Sequence, residues 1–231
     1  MKVFAISDLH LSTNCDKPMD IFGPVWENYL QQVEDSWNAN VGADDLVLIA
    51  GDISWAMYYK DALPDLEYIA SLPGKKVILR GNHDYWWKSI SEIRSNLHSS
   101  MYAIQNDAIK FDDVIICGSR GWTVPEVEHK TPEDEKIFNR ELIRMELSLK
   151  SAKVMRTNNE KLVVMVHYPP FNSKLEESQF TKLFEKYGVD KVVYGHLHNY
   201  DKKSKLSVNI NNIDYILTSC DLVKNQLTKI L

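Results

Sequence analysis

The chain has 231 residues, with 27 Lys plus Arg against 32 Asp plus Glu and a formal charge of −5 with histidines neutral. That acid excess excludes a protein that lives on nucleic-acid backbone through a dominant basic face, so an anionic ligand must be held locally. At 44% hydrophobic and 26% charged, with 9 Gly and 8 Pro, the composition excludes disordered and fibrous chains, and the length fits one domain over 1–231.

Short runs rich in Val, Ile and Leu alternate with helical patterns, which predicts an α/β architecture. The first strand, 2–6, meets Ser7 and Asp8 before a signal-peptide core can form. From Pro24 onward Trp26, Tyr29, Leu30, Val33 and Trp37 recur at helical spacing. Strands are predicted at 46–50, 76–79 and 114–117. Thr131-Pro132-Glu133-Asp134 resembles a capping box opening a helix with an apolar stripe of Ile137, Phe138, Leu142, Met145 and Leu149. A strand at 162–166 precedes a helical face of Phe180, Leu183, Phe184 and Tyr187, stopped by Gly188. Strands at 191–194, 207–210 and 213–218 follow, the last two split by Asn211-Asn212 as a hairpin turn. The segment from Val124 to Lys153 is read either as a lid or as an ordinary flanking helix.

The apolar runs fall far short of the roughly 20 residues that span a membrane. Cys15, Cys117 and Cys220 are widely spaced without a CxxC pair, which argues against a disulfide framework or a thiolate zinc site and for a cytoplasmic protein.

The informative pattern is positional. Asp8-Leu9-His10, Gly51-Asp52, Gly81-Asn82-His83-Asp84, His167-Tyr168-Pro169-Pro170 and Gly195-His196-Leu197-His198 each follow a predicted strand, at the edge where open α/β sheets bind ligands. Strand alternation would turn Asp8 and His10 to one side, and likewise His196 and His198. Carboxylate, imidazole and amide donors without thiolate suit Mn, Fe, Zn or Ni, and they outnumber the ligands one ion takes. Two divalent ions are expected, Mn favoured. A lone strand-end His or Asp is most often structural; five such clusters in order point to a site.

In order and content these five clusters resemble the signature blocks of the calcineurin-like metallophosphoesterases, over residues 8 to 198. The resemblance implies a four-layer α/β/β/α sandwich of the metallo-dependent phosphatase type with a dinuclear centre at one edge. Carried over block by block, Asp8, His10 and His198 would bind one metal and Asn82, His167 and His196 the other. Asp52 would bridge both, a role that suits the two oxygens of a carboxylate. A metal-bridging hydroxide would attack phosphorus, with His83 as general acid. Asp84 either holds the His83 imidazole in the right tautomer or caps a helix beginning near Tyr85. The implied reaction is hydrolysis of a small phosphomonoester or phosphodiester, a nucleotide among the options. A catalytically silent scaffold, or less favourably a nuclease, is the alternative.

One departure narrows the subclass. Serine/threonine phosphatases resemble Gly-Asp-x-x-Asp-Arg-Gly in the second block, whereas here Trp55 stands where the histidine-orienting Asp would be. Bacterial small-molecule phosphoesterases are the nearer likeness. Around the blocks Trp55, Tyr58, Tyr59, Tyr85, Trp86, Trp87, Trp122 and Tyr168 are expected mostly to pack helices on sheets, with Trp122 the best exception for stacking on a ligand. Arg120 is expected in a surface ion pair, with a phosphate contact as the sharper option. His98 and His129 are expected to be solvated.

Overall fold

A computed structural model describes residues 1–126, 131–198 and 205–231. In chain order it contains β1 (Val3–Ile6), α1 (Tyr29–Asn40), β2 (Leu46–Ile49), α2 (Tyr59–Ser71), β3 (Lys75–Leu79), α3 (Ile90–Asn96), β4 (Met101–Ile104), β5 (Asp107–Phe111) and β6 (Val114–Ser119). There follow α4 (Pro132–Met155), β7 (Lys161–Val166), α5 (Gln179–Lys186), β8 (Lys191–Tyr194), β9 (Ser207–Ile210), β10 (Ile213–Leu217) and β11 (Thr228–Lys229).

The central strands are apolar on both faces, so each must be covered twice. In β1 and β2, Val3, Ala5, Leu46 and Leu48 face a layer shared with Ile116, Val163, Met165 and Val193 of the second sheet. Phe4, Ile6, Val47 and Ile49 face the opposite way, onto Val33 and Trp37 of α1 and Leu66 and Ile69 of α2. Ile115, Val164 and Val192 meet Phe138, Met145 and Leu149 of α4 and Phe180 and Phe184 of α5. The result is the four-layer α/β/β/α sandwich. One sheet runs β11-β1-β2-β3-β4 and the other β5-β6-β7-β8-β10-β9. Strands β1 to β4 are mutually parallel, as are β6, β7, β8 and β10, so their carboxyl ends share one edge within each sheet.

Local chemistry sets several boundaries. Thr131 Oγ1 accepts the Asp134 N–H at 3.1 Å and opens α4 at Pro132, and Asn211 and Asn212, at φ of 52° and 65°, supply the two left-handed residues of the hairpin turn between β9 and β10. Helix α1 starts later than its apolar spacing predicts: Pro24–Trp26 form one 3-10 turn, and Asn28 at φ 50° breaks the chain before Tyr29. Helix α4 is a flanking helix on the second sheet. Its cap follows residues 127–130, so the sequence expectation for His129 lies outside the described residues.

Candidate metal centre

The loops leaving β1, β2, β3, β7 and β8 converge at one edge of the sandwich. Asp8, His10, Asp52 and His196 adopt left-handed backbone, with φ of 58°, 48°, 52° and 72°. Side-chain-bearing residues avoid that region at about 1–3 kcal/mol each, so strain is concentrated where the functional groups sit. It is held by bonds between loops: Asp8 N–H to Gly51 O at 2.9 Å, His10 N–H to Asp52 O at 3.0 Å, and Gly195 N–H to His167 O at 3.1 Å. β1 ends at Ile6, so left-handed turns rather than strand alternation bring Asp8 and His10 together. Two glycines make room. A Cβ at position 81 would run into Asp52, and one at 195 into the Asp8 carboxylate.

Ligand-type atoms of Asp8, His10 and His198 lie within 4.8 Å of one another, and those of Asp52, His167 and His196 do the same. His196 and His198 therefore divide between the two groups instead of pointing to one side. Asn82 Oδ1 lies 2.8 Å from both His167 Nε2 and His196 Nδ1 and so joins the second group. Between the groups, Asp52 Oδ2 is buried without a hydrogen-bond partner, 3.9 Å from His10 Nε2 and 3.4 Å from His167 Nε2. Its other oxygen accepts the His83 N–H at 2.8 Å. One carboxylate oxygen, Oδ2, thus faces both groups while the other is held by backbone.

The donors fit divalent cations. His167 Nδ1 lies 2.9 Å from Ala50 O and must carry its hydrogen there, which leaves Nε2 facing only the oxygens of Asn82 and Asp52. In the protein alone that end of the ring must be protonated. Burial opposes the charge, but the adjoining Asp52 carboxylate outweighs it and lifts the pKa to about 9; a metal ion supplies the same positive charge. His10 Nε2 faces His198 Nε2 across 3.3 Å. Burial drives His10 down to about 3 and His196 to about 4, the latter helped by the His167 charge, so both rings are neutral and keep a lone pair for a ligand bond. Burial disfavours the Asp52 anion, yet His167 and His10 hold it well below the ordinary carboxylate range.

A supporting layer orients these groups. Ser7 Oγ and Ser219 Oγ donate to Asp8 Oδ2 at 2.5 and 2.9 Å, and His198 Nδ1 lies 3.1 Å from Asp221 Oδ1. Asp221 was not singled out from sequence, although it follows the predicted 213–218 strand and obeys the same strand-end pattern as the other acids. Aromatic rings back the imidazoles: Trp55 stacks on His10 at 4.6 Å and 18°, and Tyr168 lies 4.3 Å from His196. Trp122 packs on Tyr168 at 5.2 Å, Trp86 and Trp87 are core residues, and Tyr58 and Tyr85 are exposed.

His83 stays outside both groups. Its half-buried ring lies 4.5 Å from Trp55 and 5.7 Å from His10, with Nδ1 buried and unpartnered. Both sequence readings of Asp84 are corrected. Its carboxylate accepts N–H groups from Asp52, Ile53, Ser54, Gly81 and the Trp86 indole, at 2.7 to 3.2 Å, leaving none of these bonds for His83. The next helix, α3, starts at Ile90 under a Ser89 cap. Asp84 is a clasp that ties the second cluster to the third.

Three solved structures share the fold. TT1561 of Thermus thermophilus aligns with a TM-score of 0.59 and 12% identity over 99% of this chain and 97% of that one. The phosphopantetheinyl hydrolase of Mycobacterium tuberculosis gives 0.58 and 12% over 100% and 95%. AQ665 of Aquifex aeolicus, a protein of unknown function, gives 0.53 and 14% over 99% and 95%. The calcineurin-like phosphoesterase family matches residues 1–200, a span that holds β1 to β8 and all five ligand loops, and the chain belongs to that family.

Proposed function

We propose that the protein is a metal-dependent phosphoric ester hydrolase acting on a small phosphomonoester or phosphodiester. Asp8, His10 and His198 would hold one divalent ion, Asn82, His167 and His196 a second, and Asp52 would be shared. The observation that carries this reading is the unpartnered, buried Asp52 Oδ2, which faces both donor groups. Imidazole and oxygen donors without thiolate suit Mn, Fe, Zn or Ni, and Mn is our choice for reconstitution. Such ions supply Lewis acidity towards the phosphoryl oxygens and activate water at neutral pH.

The chain's own groups do the rest. The Ala50 carbonyl fixes the His167 tautomer, Asp221 turns His198, and the two serines anchor Asp8. His83 would protonate a leaving-group oxygen; in support, it adjoins the first group, remains half exposed, and is braced by Trp55 in place of a carboxylate. Exposed Tyr85, 6.2 Å from His83, offers a stacking face for a flat leaving group such as a nucleobase. No described helix is long and apolar enough to cross a membrane, and with three free thiols we assign the protein to the cytoplasm.

The test is hydrolysis of p-nitrophenyl phosphate, its bis ester and a phosphonate ester by Mn-reconstituted protein, with metal content measured in parallel. Asp52→Asn is expected to lose both metal and activity. His83→Ala is expected to keep the metal and lose about 10²-fold or more in kcat on esters with poor leaving groups. Undiminished activity in Asp52→Asn, or a metal-loaded wild type that cleaves none of the three esters, would overturn the reading.

A further inference from the structure

Arg120 follows the carboxyl end of β6, and its carbonyl oxygen accepts the N–H groups of His167 at 3.1 Å and Tyr168 at 3.2 Å. That places it against the ligand loops. Its side chain is 22% exposed, with the guanidinium 5.2 Å over Trp122 and 3.9 Å from Glu141 Oε1. The same oxygen takes Arg144 at 2.7 Å and Arg140 at 3.5 Å, while the Glu141 side chain is 1% exposed. Three guanidinium groups crowd one buried carboxylate oxygen.

A fourth arginine, Arg80, directly precedes Gly81 and Asn82. It is half buried, its Nε is enclosed without a hydrogen-bond partner, and the charges around it are those of Arg120 and Arg144 set against Asp84 and Glu141. Asp84 is already engaged by five N–H donors. Arg140 and Arg144 are 52% and 40% exposed, so repulsion and desolvation fall mainly on the less exposed Arg80 and Arg120.

Its location is also specific. Ser148 Oγ accepts the Gly118 N–H at 2.6 Å, level with the end of β6, so Glu141, seven residues earlier on α4, stands about 10 Å further toward the ligand edge. The third and fourth turns of α4 thus bring Arg140, Glu141 and Arg144 to the side of Arg120, whose carbonyl is bonded to the His167 loop. Tyr168 packs on both His196 and Trp122 and so lies between them. Arg144 alone already meets Glu141 at 2.7 Å, whereas Arg80 has no acid partner among the described ion pairs and an enclosed, unpaired Nε that an anion could draw on.

We propose that Arg80, Arg120, Arg140 and Arg144 form an anion subsite that receives a second phosphoryl group of the substrate. The preferred esters then carry one phosphate besides the one that is hydrolysed. Guanidinium forks suit this ligand because their paired N–H groups match two phosphoryl oxygens. The place of the subsite in catalysis rests on the hydrolase reading, but anion binding does not.

Two measurements separate these. Calorimetric titration of metal-stripped protein with inorganic phosphate is expected to show one site, weakened at least about tenfold, or 1.4 kcal/mol, in Arg80→Gln and in Arg120→Gln. Arg80→Gln is informative even if Arg120→Gln loosens α4, because Arg80 takes no part in the Glu141 ion pairs; Arg120→Lys, which keeps the charge, should restore part of the affinity. With Mn bound, the ratio of kcat/KM for a bisphosphate ester over its monophosphate analogue should fall toward unity in both Gln variants. Absence of phosphate binding by wild type, or equal binding by wild type and both variants, overturns the subsite. Phosphate binding that depends on the arginines, without cleavage of any ester, sinks the hydrolase reading and leaves the subsite standing.

Discussion

Asp84→Asn separates the clasp from a catalytic helper. Asp84 Oδ2 accepts the N–H groups of Asp52 at 3.0 Å and Gly81 at 2.7 Å, and Oδ1 those of Ile53 at 2.9 Å, Ser54 at 3.2 Å and the Trp86 indole at 3.0 Å. Burial, then the neighbouring Asp52 charge, push this carboxyl up to about 6 against the pull of the N–H donors, so it is ionised at neutral pH. An amide retains one acceptor oxygen. Oriented to lose the fewest bonds, its NH2 replaces Oδ2 and faces two buried donors, each costing about 1–3 kcal/mol when left unpaired. With the remaining bonds weakened by loss of charge, the expected destabilisation is about 3–6 kcal/mol, a large share of the roughly 5–15 kcal/mol that holds a domain folded. Urea unfolding reads this as a lower midpoint with unchanged slope. Because the orphaned donors belong to Asp52 and Gly81, metal content should fall too, whereas the pH profile of leaving-group protonation by the surviving active fraction should not move. The reasoning is refuted if stability stays within about 0.5 kcal/mol of wild type while that profile shifts, for Asp84 would then be acting on His83.

Asp221→Asn should weaken divalent-ion affinity about 10- to 100-fold, since it weakens the hold on the His198 ring; competition with a fluorescent chelator measures this, and unchanged affinity contradicts it. Glu160 supplies a pH test remote from the site. Its carboxylate is held at about 2, against an ordinary 4.5, by Lys110 Nζ at 2.5 Å and the Asn158 N–H at 2.7 Å. A depressed folded-state pKa means that its stabilisation is complete above 4.5 and fades as the pH falls through about 2. The difference in Tm between wild type and Glu160→Gln should therefore be constant above that range and shrink below it; a pH-independent difference would exclude the pairing as its source.

What could be read from the residues follows from how locally each feature is encoded. The strands predicted at 46–50 and 162–166 are uninterrupted apolar runs because both faces are covered, and such runs are visible in any window. Strands β4, β5 and β11 were invisible: the last has two residues, and β5 is a half-exposed edge strand that carries Asp107 and Lys110. Helix α2 carries Ala62, Leu66 and Ile69 at helical spacing but has Pro64 inside it, and the proline masks the period. At the site, position along the chain was legible because every candidate ligand follows a strand. Direction was not. Whether His196 joins His198 or His167 depends on a left-handed φ, and the use of Asp84 depends on N–H donors about 30 residues away in sequence, neither of which leaves a periodic trace.

Each donor group straddles the sandwich. Asp8 and His10 come from the first sheet and His198 from the second; Asp52 and Asn82 come from the first, His167 and His196 from the second. The apolar layer between the sheets, built of side chains such as Ala5, Leu48, Met165 and Val193, therefore acts as a gauge block that sets how far apart the two halves of each site stand. Sheets stack at about 10 Å because of the volume of the side chains between them. A methylene gained or lost at Met165 or Val193 retunes that gap while every ligand stays the same. The spacing of the candidate ligands can thus drift through substitutions in the deepest, chemically blandest part of the molecule, where a search confined to those ligands would never look.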